Sequence, residues 1–319
     1  MYSRVAGTGK YLPERVLTNF DLEKMVETSD EWIRTRTGIE RRHIASDGQA
    51  TSDLAIEASR AAIENAGITP DAIDLIVVGT TTPDLIFPNV GCLVQESLGI
   101  PPGPAFSVEA ACSGFIYALS VADQFVRSGQ SKRALVIGAE TMSRIIDWTD
   151  RETCVLFGDG AGAVVIEAAD EPGIVYSKLA ADGRYRDLLY ASTGVSARPK
   201  DESDSVLKMK GNEVFRVAVK TLETIVDEVV EGAGIEKGQI DWLIPHQANI
   251  RIIQATAKRL QLPMERVILT VQEHGNTSAA SVPMALDTAI RDGRIQRGDL
   301  LLLEAFGGGF TWGASLIQY

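Results

Sequence analysis

Cys112 ends the run Phe106-Ser-Val-Glu-Ala-Ala-Cys112, which reads as a strand and a short turn leading into an apolar segment. Phe115, Ile116, Ala118, Leu119, Val121, Ala122, Phe125 and Val126 cover nearly every face of the helix expected there. A helix apolar all round is normally buried. A thiol at its N-terminus would meet free backbone N–H groups and the positive end of the helix dipole. Such a setting can lower a thiol pKa from about 8.5 into a range of roughly 3.5–7.5, where the nucleophilic thiolate is populated at neutral pH. A packed core cysteine fits the same local pattern.

Further candidates lie in the second half. Pro245-His246-Gln-Ala-Asn249 directly follows the strand-like 240–244, the place where an α/β protein sets its site. His274-Gly-Asn276-Thr-Ser278 precedes a helix beginning near Ser281. His246 also suits a satisfied core histidine, and Asn276 a cap or turn residue. Gly307-Gly308-Gly309 lets backbone N–H groups approach a ligand closely. It is no dinucleotide fingerprint, because Phe310-Thr-Trp-Gly-Ala-Ser-Leu-Ile reads as a strand. Phe157-Gly158-Asp-Gly160-Ala-Gly162 fails the same test and reads as structural, and Gly7-Thr-Gly-Lys10 lacks phosphate-loop spacing. Taken together, Cys, His, Asn and a glycine-rich oxyanion donor describe acyl chemistry on a thioester. Trp32, beside Arg34 and Arg36, suits either a solvated basic face with a core ring or a clasp for a purine and its phosphates.

These residues sit in a chain of 319, with 45% hydrophobic and 23% charged residues, ordinary for a globular protein. Its net charge of -12 argues against nucleic-acid binding. No apolar run approaches the roughly 20 residues of a membrane span, and no signal-peptide core follows Met1, so a cytoplasmic protein is expected. Three cysteines and three histidines without a Cys-x-x-Cys pair predict neither disulfides nor a metal site, and Cys92 and Cys154 read as small core residues.

A helix over 52–65, capped by Gly67, precedes the apolar strand 73–79, and 133–140 and 162–167 are further strands, which predicts a mostly parallel sheet. The second half repeats the plan, with a helix over 213–230 and a strand over 240–244. Ala-Gly-Ile followed four residues later by Ile-Asp occurs at 66–74 and again at 233–241, an offset of 167 residues. Later echoes are offset by 166 and 151, as expected for a duplicated α/β unit shortened late in its second copy. The boundary is placed near Glu171-Pro172-Gly173, giving halves 1–171 and 172–319, the first carrying the cysteine and the second the histidine and asparagine. The polar stretch 198–205 reads as an exposed loop.

The assembled motifs resemble the β-ketoacyl-[acyl-carrier-protein] synthase III family over essentially the whole chain. They are Thr28 to His43, Ala110-Ala-Cys112-Ser-Gly, Pro245-His246-Gln-Ala-Asn249, His274-Gly-Asn276-Thr-Ser-Ala-Ala and Glu304-Ala-Phe-Gly-Gly-Gly-Phe-Thr-Trp-Gly. The resemblance implies an α/β, thiolase-like five-layered α/β/α/β/α fold from two duplicated halves, and a homodimer. It implies that Cys112 takes an acyl group from acyl-CoA, with the N–H groups of Cys112 and Gly308 as oxyanion hole. His246 and Asn276 would stabilise the enolate left when malonyl-acyl carrier protein loses carbon dioxide, giving a 3-oxoacyl carrier product. The CoA thioester is then a substrate, and no cofactor is expected.

The resemblance also assigns Trp32, Arg36 and Arg151 to the CoA adenine and phosphates, which favours the clasp over the core ring at Trp32. Asn249 would line the pantetheine tunnel, Phe306 would stand near the nucleophile, and Phe87 would cross a dimer interface to bound the acyl pocket and favour an acetyl primer. An acidic carrier needs a local basic patch, and Arg251, Lys258 and Arg259 on one helix, joined by Arg216, supply it. A thiolase would need a second cysteine at 307–313, where there is none. A polyketide or quinolone starter synthase keeps the same trio. A papain-like hydrolase lacks the duplicated plan, and a non-catalytic scaffold of this fold would be expected to lose Cys112.

Overall fold

The computed structural model describes residues 1–192, 194, 196–197 and 206–319, so the loop expected over 198–205 lies outside the described residues. In the first half, five strands form one sheet: β1 (Tyr2–Tyr11), β2 (Leu75–Gly79), β3 (Ala105–Val108), β4 (Arg133–Thr141) and β5 (Asp159–Ala169), in the order β1-β5-β4-β2-β3. In the second, β6 (Ile174–Ala181), β7 (Trp242–Pro245), β8 (Leu300–Gly307) and β9 (Thr311–Gln318) form a sheet ordered β7-β8-β9-β6. Read from the other edge, this is the first sheet's plan without a partner for β3.

The sheets are mixed, which corrects the expectation of a mostly parallel one. Pairs β2·β3, β2·β4 and β7·β8 are parallel, and β1·β5, β4·β5, β8·β9 and β6·β9 are antiparallel. The reason is the way each half ends. β8 turns directly into β9 through residues 308–310, so the two strands must run antiparallel. In the first half the matching connection, 142–158, holds two short helical turns, Met142–Arg144 and Arg151–Cys154. Replacing that 17-residue segment by three accounts for 14 of the 15 positions by which the offset falls, from 166 to 151.

The helices complete five layers. We label α1 (Asp30–Thr37), α2 (Thr51–Asn65), α3 (Val90–Leu98), α4 (Gly114–Arg127), α5 (Gly211–Ala233), α6 (Ile250–Leu260) and α7 (Ser281–Arg291). α2 and α3 cover the outer face of the first sheet, α5 covers the outer face of the second, and α6 packs on α5. α4 and α7 lie between the sheets and touch both. That central layer explains the apolar α4 sequence: Phe115, Ile116, Ala118, Leu119, Ala122 and Val126 are all buried. Gly79 is needed where β2 meets α4, because a Cβ there would come within 2.5 Å of the Gly114 backbone. Among the described residues no helix is long and apolar enough to cross a membrane.

Candidate active site

Cys112 lies in a 3₁₀ turn, Ala111–Ser113, between β3 and α4. Ala111, just before it, has φ +46, a left-handed conformation unusual for a residue with a side chain. Gly307, at the end of β8, approaches this turn so closely that a Cβ would sit 2.6 Å from the Cys112 nitrogen. The two halves therefore meet at the cysteine. The thiol is buried, and burial pushes its pKa up to about 12, with Glu140 and Glu109 adding to the rise and a hydrogen bond with Ser278 opposing it. This corrects the expectation of a lowered thiol pKa. Desolvation of a buried anion outweighs the partial charge of a helix end, which acts only over the first turn.

His246 begins the loop after β7, its N–H donating to the Glu304 carbonyl (2.8 Å). Its ring Nδ1 lies 2.6 Å from Ser281 Oγ, the first residue of α7. Burial depresses its pKa to about 3, so the ring is neutral at ordinary pH. Ser281 Oγ already accepts from the Gln247 N–H at 3.3 Å, and its own proton can be donated to His246 Nδ1. That leaves the imidazole proton on Nε2. Asn276 is held by its backbone, with its N–H donating to Leu156 O (2.9 Å) and its carbonyl accepting from Gly158 N (3.0 Å). Its Oδ1 accepts from Ser278 N at 2.9 Å, so the amide NH₂ remains available as a donor.

A cavity of about 280 Å³ joins these groups. Cys112, His246, Asn276, Phe306 and Glu304 line its inner end, Asn249 and Arg251 its side, and Trp32 and Arg36 its outer end. Trp32 is placed by α1, where Ser29 Oγ accepts from the Trp32 N–H. The Arg36 and Arg151 guanidinium groups stand 5.3 and 5.1 Å from its ring centroid, and Arg151 also donates to Glu27 O (2.8 Å). Arg34 instead pairs with Asp30 and Glu40. Asn249 caps α6, its Oδ1 accepting from Arg251 N at 2.9 Å.

A second cavity, of about 490 Å³, opens on the other side of Cys112 and also reaches Gly308 and Ser278. Its apolar wall includes Met142, Ile145, Phe157, Leu189 and Leu207. Phe87 is outside both cavities of its own chain and 83% exposed.

A neutral donor pair beside a buried thiol, with two cavities meeting at Cys112, suits transfer of an acyl group between two thiols. Family models for 3-oxoacyl-[acyl-carrier-protein (ACP)] synthase III match residues 106–183, and for its C-terminal part residues 230–319. The beta-ketoacyl-[acyl-carrier-protein] synthase III of Xanthomonas campestris pv. campestris is 63% identical over 321 aligned positions, which span 100% of this chain and 99% of the relative. The chain belongs to the 3-oxoacyl-[acyl-carrier-protein] synthase III family. Members of that family are condensing acyltransferases. The crystal structure of 3-oxoacyl-[acyl-carrier-protein] synthase III from Aquifex aeolicus superposes with a TM-score of 0.94 at 48% identity, covering 99% of this chain and 100% of that one. The priming β-ketosynthase from the R1128 polyketide biosynthetic pathway matches with a TM-score of 0.95 at 38% identity, covering 99% and 96%.

Within this synthase III fold the basic residues of α6 are not equivalent. Arg251 and Lys258 are exposed, Ile253 and Leu260 are buried, and the Arg251 guanidinium stands 5.2 Å from the Phe215 ring centroid at the side of the first cavity. Arg216 is exposed on the adjacent α5. Arg259, by contrast, is paired with Asp227, which also binds Lys237. Its charge is partly offset within the chain by a carboxylate it shares with Lys237, which weakens its place in the patch.

Three contributors escaped the sequence reading. Phe157 lines both cavities and its neighbours hold Asn276, so the glycine-rich 157–162 stretch is structural but serves the site directly. Gln247 is fully buried, donating to Pro245 O and Ile268 O and accepting from Thr270 and Val271 N–H. It ties the His246 loop to the segment that leads to Asn276. Glu304 is buried in the first cavity's wall, where desolvation raises its pKa to about 8; its Oε2 meets no partner among the described residues. All three lie in quoted motifs, but nothing local marked their burial or their partners, which come from distant segments.

Proposed function

We propose that this chain catalyses the decarboxylative Claisen condensation of an acyl-CoA primer, acetyl-CoA, with malonyl-acyl carrier protein, and so initiates fatty-acid synthesis in the cytoplasm. The observation that carries the reading is one cavity running from Trp32 and Arg36 to Cys112, His246 and Asn276. Trp32 and the arginines hold the nucleotide end of CoA, Asn249 flanks the pantetheine, and Cys112 Sγ attacks the thioester carbonyl. The N–H groups of Cys112 and Gly308 receive the oxyanion. CoA leaves, and the malonyl carrier thioester takes its place. His246 Nε2–H and the Asn276 amide then donate to its carbonyl oxygen as carbon dioxide departs. The enolate carbon attacks the acyl group on Cys112 and releases the 3-oxoacyl carrier product. Decarboxylation generates the carbanion, so no strong base and no resident cofactor is required.

Intact-protein mass spectrometry tests this. Incubation with acetyl-CoA is expected to add one acetyl group at Cys112, and malonyl-acyl carrier protein is expected to discharge it as acetoacetyl carrier protein. No label at Cys112 would sink the reading. Labelling only by a longer acyl-CoA would move the function to a starter synthase. That second reading has support of its own in the likeness to a polyketide priming enzyme and in a second cavity at Cys112 larger than an acetyl group fills.

Phe87 bears on the primer. Leu85, Ile86 and Phe87 form an exposed apolar run, the kind of surface two copies would bury against each other. Because Phe87 is outside its own chain's cavities, its control of primer size requires a homodimer in which the ring closes the partner's second cavity. Acetyl-CoA should then outcompete butyryl-CoA, and Phe87→Ala should narrow that preference by about tenfold or more, since a single methylene in an apolar pocket is worth about that much. Equal preference in the unchanged protein would refute the primer assignment.

Carrier docking should depend on Arg251 and Lys258, with Arg216 nearby. Arg251→Glu with Lys258→Glu is expected to raise the KM for malonyl-acyl carrier protein by about tenfold or more while acetyl-CoA loading changes little, since like charges now face an acidic partner. Arg259→Glu should do less to docking, because Arg259 is already paired with Asp227. Equal loss of loading and condensation would argue against the patch.

A further inference from the structure

Among the described residues Arg42 is the largest fully buried side chain, and the condensation steps do not use it. It lies on the short strand Arg41–Ile44, which pairs antiparallel with Arg15–Thr18. Its Nη1 donates to the Leu17 carbonyl (3.3 Å) and to Asn19 Oδ1 (2.8 Å), and its Nη2 donates to the Val155 carbonyl (2.7 Å). All three acceptors are neutral oxygens, and Nε meets no partner among the described residues. Burial lowers the Arg42 pKa to about 10, so the group is still charged at neutral pH. A buried cation held only by neutral oxygens is costly, and an apolar side chain of similar volume would fill the same space at less cost.

The contacts of Arg42 lead in two directions. Toward the outer end of the first cavity, Asn19 passes them on, its Nδ2 donating to Asp30 Oδ1 (2.9 Å) and to the Ile39 carbonyl (2.8 Å). Asp30 and Ile39 bracket α1, which carries Trp32 and Arg36, and Val155 follows the turn Arg151–Cys154 that carries Arg151. Toward the reacting end, Val155 is followed by Leu156, whose carbonyl accepts from the Asn276 N–H. The Arg42 stem fills a notch between Gly158 and Gly275: a Cβ at the first would lie 2.9 Å from Arg42 Cβ, and a Cβ at the second 3.1 Å. Gly158 N–H donates to the Asn276 carbonyl, and Gly275 directly precedes Asn276. Next to Arg42's strand, Glu40 N–H donates to the Gln272 carbonyl (2.9 Å), in the turn Val271–His274 that leads to Asn276.

We propose that Arg42 is a positioning residue that holds the Trp32–Arg36–Arg151 clasp and the Asn276 loop in register with each other. The proposal rests on the CoA and malonyl roles assigned above. Arg42 lines neither cavity, so it acts only through the groups it holds. The planar fork of a guanidinium explains the choice of residue, because two nitrogens reach acceptors on three separate segments at once. A lysine ammonium is a single point and cannot span Asn19 Oδ1 and the Val155 carbonyl in the same way. The stem does the rest, wedged against two glycines whose neighbours fix the Asn276 backbone. One side chain thereby sets where CoA is gripped and where the Asn276 amide stands.

The test compares the unchanged full chain with Arg42→Met, which keeps a long stem without the fork, and with Asp30→Ala, which cuts only the link to α1. CoA binding is read by titration calorimetry, and carbon dioxide release from labelled malonyl-acyl carrier protein is read at saturation. Arg42→Met is expected to weaken CoA binding about tenfold and to lower carbon dioxide release about tenfold or more, since small displacements of positioned groups cost that much. The KM for the malonyl carrier should hardly move, because Arg251 and Lys258 are untouched. Alkylation of Cys112 by iodoacetamide should also be unchanged, since the thiol's turn packs on Gly307. Asp30→Ala should weaken CoA binding severalfold and leave carbon dioxide release as it was. Removing a carboxylate beside Arg34 would by charge alone favour an anionic ligand, so weaker binding there reports lost support. A folded Arg42→Met that loses only one of the two functions, or neither, overturns the proposal, and so does a proportional fall in all readouts including alkylation. If Arg42→Met does not fold, Asp30→Ala decides: weaker CoA binding supports the link and unchanged binding overturns it. Failure of the unchanged chain to bind CoA or release carbon dioxide would instead defeat the functional reading itself.

Discussion

Cys112→Ala is expected to lower 3-oxoacyl carrier formation by on the order of 10⁴-fold or more, the scale on which removing a covalent nucleophile acts. It should leave malonyl-acyl carrier protein decarboxylation within about tenfold, because His246 and Asn276 are positioned by contacts that do not involve the Sγ atom. Ser281 and the Glu304 carbonyl fix His246, and Leu156, Gly158 and the Ser278 N–H fix Asn276. The substitution removes one small buried atom, so the fold should lose no more than about 1 kcal/mol, typical of a mild core truncation. Release of carbon dioxide from labelled malonyl carrier, set against product formation, separates the half-reactions. Loss of both in a variant of unchanged Tm would show that the thiol also shapes the enolate site.

The converse result is expected from His246→Ala and Asn276→Ala. Each removes one donor from the enolate oxygen, and a single oxyanion donor is worth about 10²–10³ in rate, or roughly 3–4 kcal/mol. Condensation and decarboxylation should fall by that factor, while acetylation of Cys112 by acetyl-CoA should stay within a few fold. The double variant should lose less than the product of the two, since the donors act on one atom. The pH behaviour follows from burial. His246 has its pKa depressed to about 3, so lowering the pH from 7 to 5 does not protonate it. Decarboxylation by Cys112→Ala should therefore stay level across that range. An acid limb centred near 6.5, the ordinary histidine value, would show that His246 titrates as if solvated and would remove the neutral-donor argument.

The sequence by itself singled out the residues that the fold brings to one cavity and the plan that carries them. Cys112, His246 and Asn276 were legible because each sits in a short motif at the end of an element, where local patterning alone says strand, turn or helix. The duplication was legible because Ala-Gly-Ile and Ile-Asp recur at matched offsets, and the shortened late segment is now the direct turn from β8 to β9. The apolar faces of α4 gave away its burial between two sheets for the same reason, since composition around a helix reports what surrounds it.

Tertiary structure decided whatever depends on groups far apart in the chain. The strand directions turned on how β4 joins β5 and β8 joins β9, which periodicity does not encode. The Cys112 pKa turned on desolvation, with Glu140 and Glu109 adding to it, so the local argument from a helix end pointed the wrong way. Arg259 looked like a partner of Lys258 until Asp227 on α5 claimed its charge, and Phe157 looked like part of a glycine turn until folding set it in both cavities. Ser281 orients His246 from 35 positions away, and Ser278 reaches Glu140 across 138. A sequence states which side chains are present within a few residues of each other. Desolvation and long-range hydrogen bonds arise only when the two halves close on one another, and it is these that set the charge on each group at the site.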